Sequence, residues 1–208
     1  MLVTIFLLID VATGVLLICL QLLLVSIDVA TSSDFQAFLL VLFAGVVLVA
    51  LIGSFIPTIV FFLMWVHRVV RNMPALGVLD PRWSPAGAVV RSFIPFLSLV
   101  HPMSGTLEAW RGSDPRRRWT NVTERKAMGV PGLIIEWWSL WLIGNVVSNL
   151  GNRVSNSKDV ATAAVGDWIS IAGILMNIGA AILAVLVVRD VTARQDRKNE
   201  LIATGHLA

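Results

Sequence analysis

No charged residue occurs between positions 35 and 66, and a chain that must place such a stretch somewhere has few folds open to it. A helix of roughly 20 apolar residues crosses the hydrocarbon of a bilayer. Three further runs meet that length. Residues 3–27 are broken only by Asp10, 133–152 carry Trp137, Trp138 and Trp141, and 167–188 are almost wholly apolar after Asp167. With 57% hydrophobic and 14% charged residues and a mean hydropathy of +0.82, the chain lacks the polar surface that a water-exposed fold of this size requires. The expected fold is an all-α polytopic membrane protein, one integral domain over 1–208.

The cations orient it. None of the sixteen Lys and Arg precedes Arg68, ten lie from Arg68 to Lys126, and four follow Val188. Cytoplasmic loops collect basic residues, so four spans with both termini inside put fourteen of the sixteen on one side and leave only Arg153 and Lys158 outside. A fifth apolar stretch, 86–103, contains Arg91, Pro95 and Pro102. An arginine at mid-bilayer costs about 2.5–3.5 kcal/mol, and a fifth span would move the Arg116-Arg117-Arg118 cluster to the wrong side. Residues 84–102 are therefore expected to form one interfacial or re-entrant helix within a cytoplasmic loop spanning 67–132, started by Ser84 as N-cap and Pro85 as first helical residue. The apolar N-terminus lacks a basic leader and a small-residue cleavage site and reads as a retained span. The excess of Arg over Lys points to a GC-rich bacterial genome, and hence to a bacterial cytoplasmic membrane. Cys19 is the only cysteine, so an intrachain disulfide is impossible. Asn121-Val122-Thr123 matches a glycosylation sequon on the expected cytoplasmic side.

Local motifs gather in the loop. Trp65, Arg68 and Asn72 recur at helical spacing and share a face, expected to receive the 84–102 segment. Beyond them come Ser84-Pro85, Ile94-Pro95, Pro102, Glu108 and Trp110, and after the last span Val188-Arg189-Asp190-Val191-Thr192-Ala193-Arg194-Gln195. In this combination and in its four-span layout the chain resembles the bacterial membrane proteins of domain-of-unknown-function family 4328. The resemblance implies an integral membrane fold and no assigned activity. The chain departs from it at Arg91 and Ser92, where such proteins tend to be aromatic.

The polar residues in and beside the spans are the candidates for function. Asp10, Glu136, Arg68, Arg91 and Arg189 are expected at one membrane level, either as a proton- or substrate-binding cluster or as ion pairs that set helix register. Asn145, Asn149 and Asn152 form a ladder on the third span facing Asn177 on the fourth, which describes helix packing or, alternatively, a polar permeation stripe. His67 and His101 read as interfacial side chains rather than metal or haem ligands. No Gly-rich phosphate loop, nucleophile elbow or helical H-E-x-x-H occurs, so no cofactor, metal or catalytic residue is assigned. The basic run with Arg125 and Lys126 is expected to meet anionic lipid rather than nucleic acid. The reading is a non-enzymatic interaction or scaffold protein, contacting anionic headgroups and a membrane-protein partner or a second copy. A small transporter or channel subunit is the alternative, and an enzyme acting on lipid headgroups the third. The topology is testable: cysteines placed at Ser113 and Asn156 in a Cys19→Ala background should react oppositely with an impermeant thiol reagent on intact cells. Labelling of the loop cysteine from outside would end the four-span arrangement.

Overall fold

A computed structural model describes residues 1–26, 34–116 and 122–206, and among them every regular element is helical. The elements are α1 (Leu2–Ser26), α2 (Asp34–Asn72), α3 (Pro85–Val90), two single 3₁₀ turns (Arg91–Phe93 and Leu97–Leu99), α4 (His101–Gly112), α5 (Val122–Ala127), α6 (Gly132–Ser155) and α7 (Val160–Ala203). Four of these, α1, α2, α6 and α7, are long and apolar enough to span a membrane. Their outward positions carry Leu8, Val15, Phe38, Val41, Val49 and Leu175, side chains that lipid tolerates and water does not. Arg117, Arg118 and the Asn121 sequon lie outside the described residues. The chain divides into two compact units, Met1–Ile59 with Ser139–Ile182, and Val60–Trp138 with Leu183–Ala208.

In the first unit, α6 and α7 are joined by a seam of small residues. Gly144, Ser148, Gly151 and Ser155 recur at steps of four, three and four along α6, and Gly166, Ser170, Gly173 and Asn177 do the same along α7. They face each other in antiparallel order: Ser155 with Gly166, Gly151 with Ser170, Ser148 with Gly173, Gly144 with Asn177. The register holds for about three turns. A Cβ added at Gly151, Gly166 or Gly173 would run into the main chain of the facing serine, so each glycine is what allows the backbones to touch. Polar bonds follow the seam. Ser170 Oγ donates to Asn152 Oδ1 at 3.1 Å, and Asn145 Nδ2 donates to Asn177 Oδ1 at 3.3 Å. At one end, Asp167 Oδ1 accepts from Ser155 Oγ at 2.6 Å and from Gln21 Nε2 at 2.9 Å, tying α1 to the pair. Thr13 on α1 meets Ser54 on α2 at 3.4 Å between hydroxyl oxygens. Asp159 starts α7 by accepting from both the Thr162 N–H and its hydroxyl, which hold its carboxyl below the usual carboxylate range.

The second unit is built on the last turns of α2, the first turns of α6 and the C-terminal part of α7. Val66, Val69 and Val70 of α2 and Met73 just after it are buried, as are Val187, Val188 and Val191 of α7. Trp65 Nε1 donates to Thr192 Oγ1 at 3.2 Å and Asn72 Nδ2 to Gln195 Oε1 at 3.2 Å, so these two side chains bond to α7 rather than to the 84–102 segment. Arg68 is exposed and lies off that contact. The segment itself departs from the single helix expected. Ser84 does cap α3, accepting from Gly87 N–H at 3.1 Å, but α3 ends at Val90 and α4 begins only at His101. Pro95 supplies no donor and disfavours helical backbone at Ile94, which is extended, while Pro102 occupies the first turn of α4. Two prolines thus split the stretch instead of bending it. Ser113 proves fully buried, so the exposed Lys126 is the better loop position for thiol labelling.

The seam makes a discriminating pair of substitutions. Gly173→Ala should lower the thermal midpoint of the detergent-solubilised protein clearly, despite alanine's higher helix propensity. Asn177→Ala should cost only about 0.6 kcal/mol, the average for hydrogen bonds between membrane helices. A Gly173→Ala protein as stable as the parent would show that the two backbones do not meet there.

Candidate functional site

The second unit contains an unusual number of buried polar side chains, and their donors are directed at main-chain carbonyls. Arg125 on α5 is fully buried and pairs with Glu108 on α4 at 2.7 Å. Its Nη2 also donates to Asp80 O at 3.1 Å and its Nη1 to Leu79 O at 3.4 Å, while Arg82 N–H reaches Glu108 Oε1 at 3.4 Å. The turn they hold needs holding, since Gly77 and Asp80 both have φ in the left-handed region, at 73° and 53°. Removing one partner of such a pair costs about 3–5 kcal/mol, because the other charge stays buried. Lys198, also fully buried, donates to Gly112 O at 2.9 Å, placing a cation at the C-terminal end of α4 where the helix dipole favours it. Gln195 Nε2 donates to Val69 O at 2.9 Å. Arg111 Nη2 donates to Met128 O at 2.6 Å, and burial draws its guanidinium below the ordinary arginine value while Glu108 opposes the shift.

His101 belongs to the same pattern. It is buried, its Nε2 lies 3.0 Å from Ala88 O, and its ring meets Trp83 edge-on at 5.1 Å. A carbonyl only accepts, so Nε2 carries the proton and the ring is held as that tautomer. Trp83 in turn carries the Arg91 guanidinium at 3.9 Å and that of Arg82 at 4.6 Å from its ring centroid. Arg91 is thus stacked on an aromatic face, separate from Glu136.

On another side of the unit an open groove of about 600 Å³ runs between the ends of α4 and α7, lined by Trp110, Asp114, Arg116, Met128, Asp190, Arg194, Arg197 and Leu201, with Pro115 and Ala193. One wall is a closed triangle: Trp110 Nε1 donates to Asp190 Oδ2 at 2.8 Å, Arg194 Nε pairs with Asp190 Oδ1 at 3.1 Å, and the Arg194 guanidinium lies 4.1 Å over the Trp110 ring. Asp114 Oδ1 accepts from the Arg116 N–H at 3.0 Å. Both carboxylates are thereby engaged, and the exposed Arg116 and Arg197 leave the groove positive.

Of the residues marked in the sequence, the structure joins some and scatters others. Glu108 sits at the centre of the buried network, and Asn72 and Trp65 meet α7. Glu136, Arg68 and Arg189 are exposed, and neither ion pair found among the described residues, Glu108–Arg125 or Asp190–Arg194, includes them. The expected charge cluster of these three with Arg91 does not form. Asp10 is half-buried in the first unit, where Thr13 Oγ1 donates to its carbonyl. Asn145 joins Asn177, but Asn149 is exposed and donates to Asn145 O on its own helix, so the ladder is not continuous. His67 is half-buried on α2, Pro95 is exposed in the loop, and Pro102 opens α4. Arg125, grouped in the sequence with lipid-facing cations, is instead buried and paired. Lys198 carries no signal in the sequence, because a cation in a basic segment reads as solvated, as Arg125 does. Asp190 and Arg194 carried a signal in their i,i+4 spacing. Among the described residues no group of three or more His, Cys, Asp or Glu is placed to hold a metal ion.

The environment of His101 fixes a pH response. Burial lowers its pKa below the ordinary 6.5, the bond to Ala88 opposes this, and the charges of Arg91 and Arg82 lower it further. The folded state thus favours the neutral ring. Stability from this group is complete above about pH 6.5 and is lost as the pH falls toward the depressed folded value, because the unfolded chain takes up the proton first. Acidification from about pH 7.5 to about pH 5.5 should lower the thermal midpoint of the parent more than that of His101→Gln, which keeps a donor near Ala88 O. Equal slopes in the two proteins would remove His101 as the cause.

Neither the curated proteins nor the solved structures include a significant match to the chain. A family model does match, over residues 24–193, a range that takes in the α6–α7 seam, the Glu108–Arg125 pair and the Trp110–Asp190 wall of the groove. By that match, which covers well over half of its length, the chain belongs to the family described as Domain of unknown function (DUF4328).

Proposed function

We propose that this protein is a non-enzymatic interaction or scaffold protein of a bacterial cytoplasmic membrane, with both termini and the 67–132 loop in the cytoplasm. The orientation rests on fourteen of sixteen cations falling on one side. The observation that carries the interaction reading is the groove between the ends of α4 and α7. Its carboxylates are occupied, its Trp110 and Arg194 are stacked in place, and Arg116 and Arg197 stand at its edge. Such a surface suits an acidic segment of a partner protein. The buried polar groups behind it favour rigidity over chemistry, since Arg125, Lys198, Gln195 and His101 spend their donors on main-chain carbonyls. Transport is supported less well. Glu136 is exposed, Asn149 bonds within its own helix, and the α6 and α7 backbones touch along their seam, leaving no room between them for a path.

A photo-crosslinking residue in place of Leu201, which lines the groove, should give a discrete protein adduct in intact cells. The double reversal Arg116→Glu with Arg197→Glu should reduce that adduct roughly tenfold or more, since each lost charge-assisted contact is worth about 1.5–3 kcal/mol. An adduct indifferent to the reversal, or adducts with lipid alone, would remove the groove as the docking site. Ion or proton flux in reconstituted vesicles that disappears in Asp10→Asn would replace this reading with transport.

A further inference from the structure

The segment between α3 and α4 carries a second feature, independent of what the groove takes. Phe93, Ile94, Phe96, Leu97, Leu99 and Val100 are all exposed, Phe93 by 68% and Phe96 by 85%. Six large exposed apolar side chains within eight residues are a concentration that soluble surfaces avoid. The segment's backbone explains how they come to project together. The first 3₁₀ turn ends at Phe93, Phe96 takes a left-handed conformation with φ 65°, and the second turn follows at once. The chain doubles back on itself with Phe96 in the bend.

Five of the six main-chain N–H groups from Ile94 to Val100 are bonded within the turn. Ile94 N–H donates to Arg91 O, Leu97 to Pro95 O, Ser98 to Ile94 O, Leu99 to Phe96 O and Val100 to Leu97 O, while Pro95 has no N–H to satisfy. In hydrocarbon each open group would cost several kcal/mol. The remaining observations set its position. Leu99 O accepts from the indole of Trp138 at 2.8 Å, and Trp138 stands in the second turn of α6, itself one of the four spanning helices. The hairpin is therefore held beside the point where a span begins. At its base, the Arg82 and Arg91 guanidinium groups both lie over Trp83, which gathers two positive charges at one place.

We propose that residues 91–100 form a wedge that enters the phospholipid leaflet next to the start of α6, with Phe93 and Phe96 among the acyl chains and Arg82 and Arg91 at the phosphates. The occupant is the bilayer itself. Tryptophan and arginine at the wedge's base match the headgroup level, phenylalanine and leucine at its tip the hydrocarbon, and the short 3₁₀ turns give it the depth of part of one leaflet rather than a crossing.

Nitroxide labels on single cysteines in the full-length Cys19→Ala protein, reconstituted in phospholipid nanodiscs, test this by depth. Labels at Phe93→Cys and Phe96→Cys should be relaxed by oxygen and protected from a water-soluble nickel chelate, as for a lipid-facing position such as Val49→Cys. A label at Arg82→Cys should fall between these and the water-exposed Lys126→Cys. Two results would overturn the wedge. Nickel access at Phe96 equal to that at Lys126 places the loop in water. Protection from both oxygen and nickel places it under protein, in a second copy or a partner. Neither result bears on crosslinking from Leu201, so the groove and the wedge stand or fall separately.

Discussion

Main-chain carbonyls that end helices and turns need donors, and where they are buried water cannot supply them. Much of the second unit follows from meeting that need with side chains. Arg125 supplies Leu79 and Asp80, Lys198 supplies Gly112, Gln195 supplies Val69, His101 supplies Ala88, and Trp138 supplies Leu99. Each bond also pins a loop or a helix end to a different element. Three short helices and two single turns, none of which would hold its shape alone, are thereby fixed to the ends of α2, α6 and α7.

The first unit solves a different problem. Between spanning helices there is no hydrophobic gain from association, because lipid is as apolar as leucine, so contact has to come from close approach. The glycines of α6 and α7 allow it, and the serines and asparagines beside them turn the approach into hydrogen bonds such as Ser170 to Asn152 and Asn145 to Asn177. Asn145 and Asn152, which look like a lining when read along α6 alone, are explained as packing once α7 is set against them. Asp167 closes the seam by accepting from two helices at once.

Against this background the two outward features stand out by contrast. Charge that serves the fold is buried and engaged, as in Glu108 with Arg125. Charge at the groove stays at the surface, where Arg116 and Arg197 flank a fixed Trp110–Asp190–Arg194 wall. Apolar residues that serve the fold are likewise buried, whereas those of the 91–100 hairpin project.

The sequence by itself determined the class. Four apolar runs long enough to cross a bilayer predict four spanning helices, because in lipid a helix satisfies its own backbone whatever its neighbours do. The capping of α3 by Ser84 was equally legible, being a matter of adjacent residues. Tertiary structure decided everything that depends on which face meets which. Trp65 and Asn72 share a face by spacing, yet only the fold shows that Thr192 and Gln195 receive it. Arg125 and Arg116 are both cations of one basic segment, and only burial separates the one that holds a turn from the one that edges a groove. The 84–102 stretch reads as one interfacial or re-entrant helix, and the structure shows Pro95 and Pro102 dividing it. Its division into two turns and two helices rests on partners as distant in sequence as Trp138, since spacing along a chain records local geometry, and a contact across 39 residues is settled only when both elements are in place.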